Sequence, residues 1–233
     1  MIKIENTVTL SAEQWKSAIM GVRNAMNSWN RSDSDFEFIS PDGDPAIGKN
    51  DISLLMQLRN AGTDHRKFMR MIIVYMDITA PLYWWKEFDT YKVGTVANSC
   101  STMHCIHKKE FTLDDFSHEQ LILNYDKQMK ALESLGEEVR GRQNSPLDDL
   151  NYDISKLNAY RALYLATKDK IWWWQMIQRL PSSYNQKRTI MLSYEVLANI
   201  YHSRKNHKLD EWHEFCDWIK TLPYSELITG EEE

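Results

Sequence analysis

Residues Phe68 to His104 read FMRMIIVYMDITAPLYWWKEFDTYKVGTVANSCSTMH. The stretch opens on a β-branched run, Ile72-Ile73-Val74, inside an apolar segment of strand length, and we place a buried strand over Met69–Ile78. Thr79-Ala80-Pro81 ends it, because proline cannot donate to a ladder yet fits the first turn of a helix. A short helix over 82–89 follows. It alternates aromatic and charged residues: Trp84, Trp85, Lys86, Glu87, Phe88, Asp89. The aromatics read as a stacking wall and the charges as groups that orient a polar ring. Residues 93–102 are small and polar, suited to a ligand loop in which hydroxyl and amide groups reach phosphate or carbonyl oxygens.

The second informative stretch is Leu180 to Trp212. LSYEVLANIYHSR and LDEWHEFCDWIKTLP read as two closing helices, with Asp210 near the start of the second. Arg179, Lys187, Arg188, Arg204, Lys205 and Lys208 concentrate positive charge here. Gathered in space they suit a phosphate, which arginine grips bidentately; scattered over helices they are solvated charges. Glycine-rich phosphate signatures are absent from the sequence.

Elsewhere the chain is mostly helical. Ser11 and Gln14 form a capping-box pattern ahead of Trp15, Ile19, Val22 and Met26 at helical spacing. Residues 30–50 read as a long surface loop, and 51–62 as a helix closed by Gly62. Residues from Thr112 to Gly136 read as mainly helical. A polar segment, 136–146, then leads to a helix ending near Thr167, and Ile171–Arg179 continues helically to a break at Leu180-Pro181. The tail from Gly230 reads as frayed. This makes the fold class α+β, mostly helical with a small antiparallel or mixed sheet. No linker divides the 233 residues, so a single domain, 1–233, is expected.

Composition bounds the function. A net charge of −5 argues against broad nucleic-acid binding, which needs a basic face to displace counterions. The three cysteines, Cys100, Cys105 and Cys216, lack metal-ligand spacing, so no metal site is expected. With no secretory leader and no apolar run of about 18 residues, the expectation is a soluble cytoplasmic protein without membrane partners. Cys100 would be a nucleophile only if a base or positive charge activated it. Nine tryptophans and eleven methionines suggest surfaces that pack planar groups.

Together the two stretches resemble the flavin-dependent thymidylate synthases. That family carries Arg-His-Arg, seven residues, then Ser, closely followed by Arg-Tyr, after a strand ending near Ala-Pro. Anchoring on Ala80-Pro81 sets Thr90-Tyr91-Lys92 on the triplet, Cys100 on the serine and Thr102-Met103 on the Arg-Tyr. Glu87 falls on a glutamine that precedes the triplet, and an offset of one brings Ser99 or Ser101 to the serine. Phe68-Met69-Arg70 is similar to the family's Phe-Glu-His. Asn199 and Arg204 fall on an Asn and an Arg that contact flavin and nucleotide, and His207 and Trp212 on the His and Trp that follow.

The resemblance implies FAD as cofactor, held by Thr90, Tyr91, Lys92, Asn199 and His207. It implies dUMP as substrate, held by Arg204, Thr102 and Arg188, with Glu87 and one of Ser99, Cys100 and Ser101 in catalytic positions. It further implies methylation of dUMP for dTMP biosynthesis, using methylene-tetrahydrofolate and NADPH, in a homotetramer whose sites draw on several chains. The triplet's arginines are reduced to Lys92, and the later arginine is Thr102. Each lost charge-assisted bond is worth about 1.5–3 kcal/mol. A catalytically silent homologue, binding nucleotide or a protein partner, is therefore the alternative reading.

Overall fold

The computed structural model describes residues 1–40, 43–121, 125–135 and 144–230. In chain order its elements are β1 (Lys3–Val8), α1 (Ala12–Arg23), β2 (Asp35–Ile39), β3 (Pro45–Ala46), α2 (Lys49–Asn60), β4 (Ile73–Pro81), α3 (Leu82–Phe88), β5 (Thr95–Ser99), α4 (Thr102–Cys105), α5 (Tyr125–Ser134), α6 (Pro146–Thr167), α7 (Lys170–Arg179), β6 (Asn185–Ser193), α8 (Tyr194–Arg204), α9 (Asp210–Lys220) and α10 (Glu226–Thr229). This is a mostly helical α+β protein. Two compact units emerge: Met1, Ala80–Trp85 and Cys100–Gln186 in one; Ile2–Thr79, Lys86–Ser99 and Lys187–Glu233 in the other. Both are discontinuous, so no single cut in the chain separates them.

The first unit is built on α6 and α7, which pack together. Ser145 starts α6 with a reciprocal cap: its Oγ accepts from Asp148 N at 3.2 Å, and its own N donates to Asp148 Oδ2 at 3.1 Å. Lys168 ends the helix in the left-handed region, and Asp169 then caps α7 by accepting from Ile171 N at 2.9 Å. Ile106, Phe111, Phe116, Leu150, Ile154, Leu157 and Met176 form the core of this unit. Trp84 and Trp85 are fully buried, edge to face, and Trp85 Nε1 donates to Gln186 O at 2.9 Å. The expected stacking wall is therefore interior packing: two adjacent large apolar side chains gain more from full burial than from a wet surface.

The second unit holds most of a four-stranded sheet in the order β1-β4-β6-β5, with β1–β4 and β5–β6 antiparallel. Val74, Met76 and Ile78 of β4 alternate into the core, each burial contributing about 1.5–3 kcal/mol, while Tyr75 faces outward. Tyr194, Leu197 and Ile200 of α8 and Trp212, Phe215 and Ile219 of α9 supply further core. The capping box at α1 is present, Ser11 N donating to Gln14 Oε1 at 2.9 Å. Gly62 follows α2 at φ +103°, a backbone conformation glycine adopts without steric cost.

Several boundaries differ from the sequence-based expectation. The strand starts at Ile73, after a 3-10 turn over Arg66–Arg70, and runs through Pro81. Residues 30–50 contain the β2–β3 hairpin, its alternating Asp35-Phe36-Glu37-Phe38 obscured by the neighbouring Pro and Gly. The supposed ligand loop over 93–102 contains β5, an exposed strand that among the described residues pairs only with β6, where short polar side chains are no handicap. The helix expected from Thr112 is a 3-10 turn at Leu113–Asp115 and then, farther on, α5. Its expected stop at Gly136 lies outside the described residues. Among the described residues no helix is long and apolar enough to cross a membrane.

Candidate functional site

The last turn of α3 brings the Glu87 carboxylate to two hydrogen-bond donors and to the His207 ring. Arg204 Nη1 donates to Glu87 Oε2 at 2.8 Å, Trp212 Nε1 donates to the same oxygen at 2.9 Å, and His207 Nε2 lies 3.3 Å from it. Arg204 Nε donates to the Tyr91 hydroxyl at 2.9 Å, and its guanidinium carbon lies 4.8 Å from the Trp212 ring centroid. All of these belong to the second unit.

Local folding explains the convergence. Thr90 closes α3, its N and Oγ1 both donating to Glu87 O, at 3.1 and 2.7 Å, which turns the chain to present Tyr91. Arg204 is the final residue of α8. His207 N then donates to Arg204 O at 2.9 Å, and His207 Nδ1 accepts from Leu209 N at 3.2 Å. This second bond makes Nδ1 an acceptor, so in the neutral ring Nε2 carries the proton, 3.3 Å from Glu87 Oε2. Trp212 lies in the first turn of α9, stacked on Phe88 with centroids 6.4 Å apart and planes 12° apart.

A second cluster gathers around α8's first turns. Asn199 Oδ1 accepts from Arg66 Nη2 at 3.2 Å, Arg66 Nε lies 3.7 Å from Glu195, and Arg70 is bonded to Glu195 by two of its nitrogens. Arg70 and Glu195 also line a cavity of about 530 Å³ with Ile73, Val93, Gly94, Val96, Met191 and Val196. That volume lies within the ~300–1,000 Å³ usual for ligand pockets, and the walls are largely apolar. Its donor chemistry fits a planar ring with a polar edge.

The remaining expected site residues are distributed. Arg188 donates to Asp89 Oδ1 at 2.7 Å and pairs across the β5–β6 ladder with Ser99, which is exposed. Lys92 is exposed. In the first unit Cys100 is exposed and its carbonyl accepts from Gln186 Nε2 at 3.0 Å; the same amide donates to Thr102 Oγ1 at 3.2 Å. The Ser101 hydroxyl caps α4, accepting from His104 N at 3.2 Å.

The structure thus brings together Glu87, Thr90, Tyr91, Arg204 and His207. What sequence reasoning missed is the set of counter-ions. Lys187, Arg188 and Arg204, each considered for a phosphate, are bonded to Asp77, Asp89 and Glu87 respectively, and Arg70 is bonded to Glu195. The acidic partners lie about as many residues away as half the chain, beyond the reach of any local pattern. For a diphosphate, these cations are already engaged.

No family model matches the chain, and no curated protein matches its sequence. Among solved structures the likeness is extensive, and the fold is that of the flavin-dependent thymidylate synthases. One similar structure is Thymidylate Synthase X (ThyX) from Helicobacter pylori with FAD and dUMP, at TM-score 0.64 and 15% identity, covering 99% of this chain and 98% of that one. Another is the UMP/dUMP methylase PolB from Streptomyces cacaoi bound with 5-Br dUMP, at TM-score 0.57 and 11% identity, covering 99% and 94%. At these identities the likeness describes the fold.

Proposed function

We propose that this protein binds a pyrimidine nucleotide and a flavin on its ThyX-like scaffold, and methylates dUMP with methylene-tetrahydrofolate as carbon donor. The observation that carries the reading is the convergence of Arg204, Trp212 and His207 on one oxygen position. Two fixed donors bonded to a single point, with a third ring nitrogen 3.3 Å from it, make an anion site in a partly buried setting where charge-assisted bonds are strong. The nucleotide's phosphate is the anion assigned to it.

Flavin would lie against the apolar cavity, with Asn199 offering its amide and Tyr91, Thr90, Lys92 and His207 adding polar contacts. Reduced by NADPH, the flavin supplies the hydride such a methylation requires. The chain's own part is to hold and polarise the pyrimidine. Ser99 and Cys100 keep exposed side chains for that purpose, whereas the Ser101 hydroxyl is used by α4. We further propose a homotetramer in which a second chain completes the diphosphate contacts, acting in cytoplasmic dTMP biosynthesis.

The second reading, a catalytically silent nucleotide-binding homologue, is favoured by the pairing of every one of those four cations with a carboxylate. Visible absorption of the protein after incubation with FAD and gel filtration separates the two. Retained flavin colour with a raised melting temperature supports the enzyme reading. Colourless protein that still binds dUMP supports the silent homologue.

A further inference from the structure

We propose that Glu87 is a built-in competitor for the anion site, occupying the donors that a phosphate monoester must take. This rests on the reading of Arg204, Trp212 and His207 as that site. The two sides of the contact are unequal. Arg204 is braced from two directions, by the Tyr91 hydroxyl at 2.9 Å and by the Trp212 ring at 4.8 Å, and its side chain is only 17% exposed. Trp212 is fully buried and stacked on Phe88, so its Nε1–H cannot swing away. Glu87 lies on the last turn of α3 with its side chain 34% exposed, twice as exposed as Arg204, on a stem with more rotatable bonds than the tryptophan ring it meets.

The donors are therefore fixed and the acceptor is removable. Exchange needs one rotamer change: Glu87 turns outward and a phosphate oxygen enters the position of Oε2. A carboxylate carries one charge, whereas a phosphate monoester carries close to two at neutral pH and presents three acceptor oxygens. The contact thus favours monoesters over diesters and over neutral nucleosides. While Glu87 is in place it also keeps the arginine desolvated and oriented, so the site is organised before ligand arrives.

The test is calorimetric titration of inorganic phosphate, dUMP and deoxyuridine into wild type, Glu87→Gln, Glu87→Asp and Glu87→Gln/Arg204→Gln. Glu87→Gln is expected to bind inorganic phosphate at least about tenfold more tightly than wild type, roughly 1.4 kcal/mol. The gain should vanish in the double variant, and deoxyuridine should show none. Glu87→Asp keeps the charge on a shorter stem and covers the case in which Glu87→Gln fails to fold; it should gain about threefold, some 0.65 kcal/mol. Unchanged or weaker phosphate binding in the folded variants overturns the proposal. A phosphate gain with no dUMP binding in any variant supports the competitor while removing the nucleotide reading. Equal dUMP and phosphate affinities in wild type and Glu87→Gln overturn the competitor and leave the nucleotide reading intact.

Discussion

Arg204 and Glu87, 117 residues apart in sequence, share a 2.8 Å charge-assisted hydrogen bond that joins the end of α8 to the end of α3. Both side chains are partly exposed, so solvent screening limits what the pair adds to stability. A double-mutant cycle with Glu87→Gln and Arg204→Ala should give a coupling of about 1 kcal/mol in urea unfolding, within the ~0.5–3 kcal/mol range for residues in contact. Tyr91→Phe removes the hydroxyl that accepts from the charged Arg204 guanidinium and should cost about 1.5–3 kcal/mol. A coupling near zero would mean that the two side chains do not bind each other in solution.

The buried pair Arg23–Asp51 is a stronger structural contact. Arg23 Nε donates to Asp51 Oδ1 at 2.6 Å, and the hydroxyls of Ser32 and Ser34 each donate to Oδ2 at 2.6 Å. Burial raises the Asp51 pKa, but the bonds from Ser32, Ser34 and Arg23 outweigh it and hold the carboxyl below its usual range. Asp51→Ala leaves a buried guanidinium without its partner, so chemical unfolding should show a loss of about 3–5 kcal/mol. A loss under about 1 kcal/mol would mean that water reaches Arg23.

Much of this fold was legible. The β-branched run before Ala80-Pro81 marked β4 and the helix after it, and Ser11 with Gln14 marked α1. β6 was not legible, because Lys187 and Arg188 read as a phosphate grip or as solvated charge, whereas Lys187 and Thr189 bond Asp77 and Arg188 bonds Asp89. Glu87, Arg204 and His207 were each picked out by resemblance, yet their mutual bonding was invisible, since a counter-ion on another element leaves no local periodicity. Trp84 and Trp85 misled for a related reason: flanking charges suggested a surface, but the two rings are interior.

Asp77 gives the fold a defined acid sensitivity. Bonds from Thr189, Asn6 and Lys187 lower its pKa from 3.8 to about 2. The unfolded chain therefore takes up this proton at higher pH than the folded one. The stabilisation is fully present above the unfolded value near 3.8 and is lost as pH falls towards about 2. Melting temperatures of wild type and Asp77→Asn between pH 5 and pH 2 should converge across that window as the wild-type advantage disappears. A constant difference over the whole range would remove Asp77 as the titrating group.

Gly94 is held at φ +81°, and a Cβ there would meet Val196 Cγ2 at 3.1 Å. Gly94→Ala should cost about 1–3 kcal/mol from the left-handed backbone alone. It should also weaken flavin retention, since Gly94 and Val196 both line the cavity beside Arg70. Thermal unfolding and the flavin absorbance retained after gel filtration measure the two effects separately. Unchanged flavin retention in a destabilised variant would place the flavin elsewhere.

The claim that Arg204, Trp212 and His207 form a nucleotide's anion site is tested most directly by calorimetric titration of dUMP into wild type and Arg204→Ala, each first checked by a melting curve. We expect wild type to bind, and Arg204→Ala to remain folded while binding at least about tenfold more weakly, a cost of roughly 1.4 kcal/mol. Equal affinities in two folded proteins, or no dUMP binding by wild type, would contradict it.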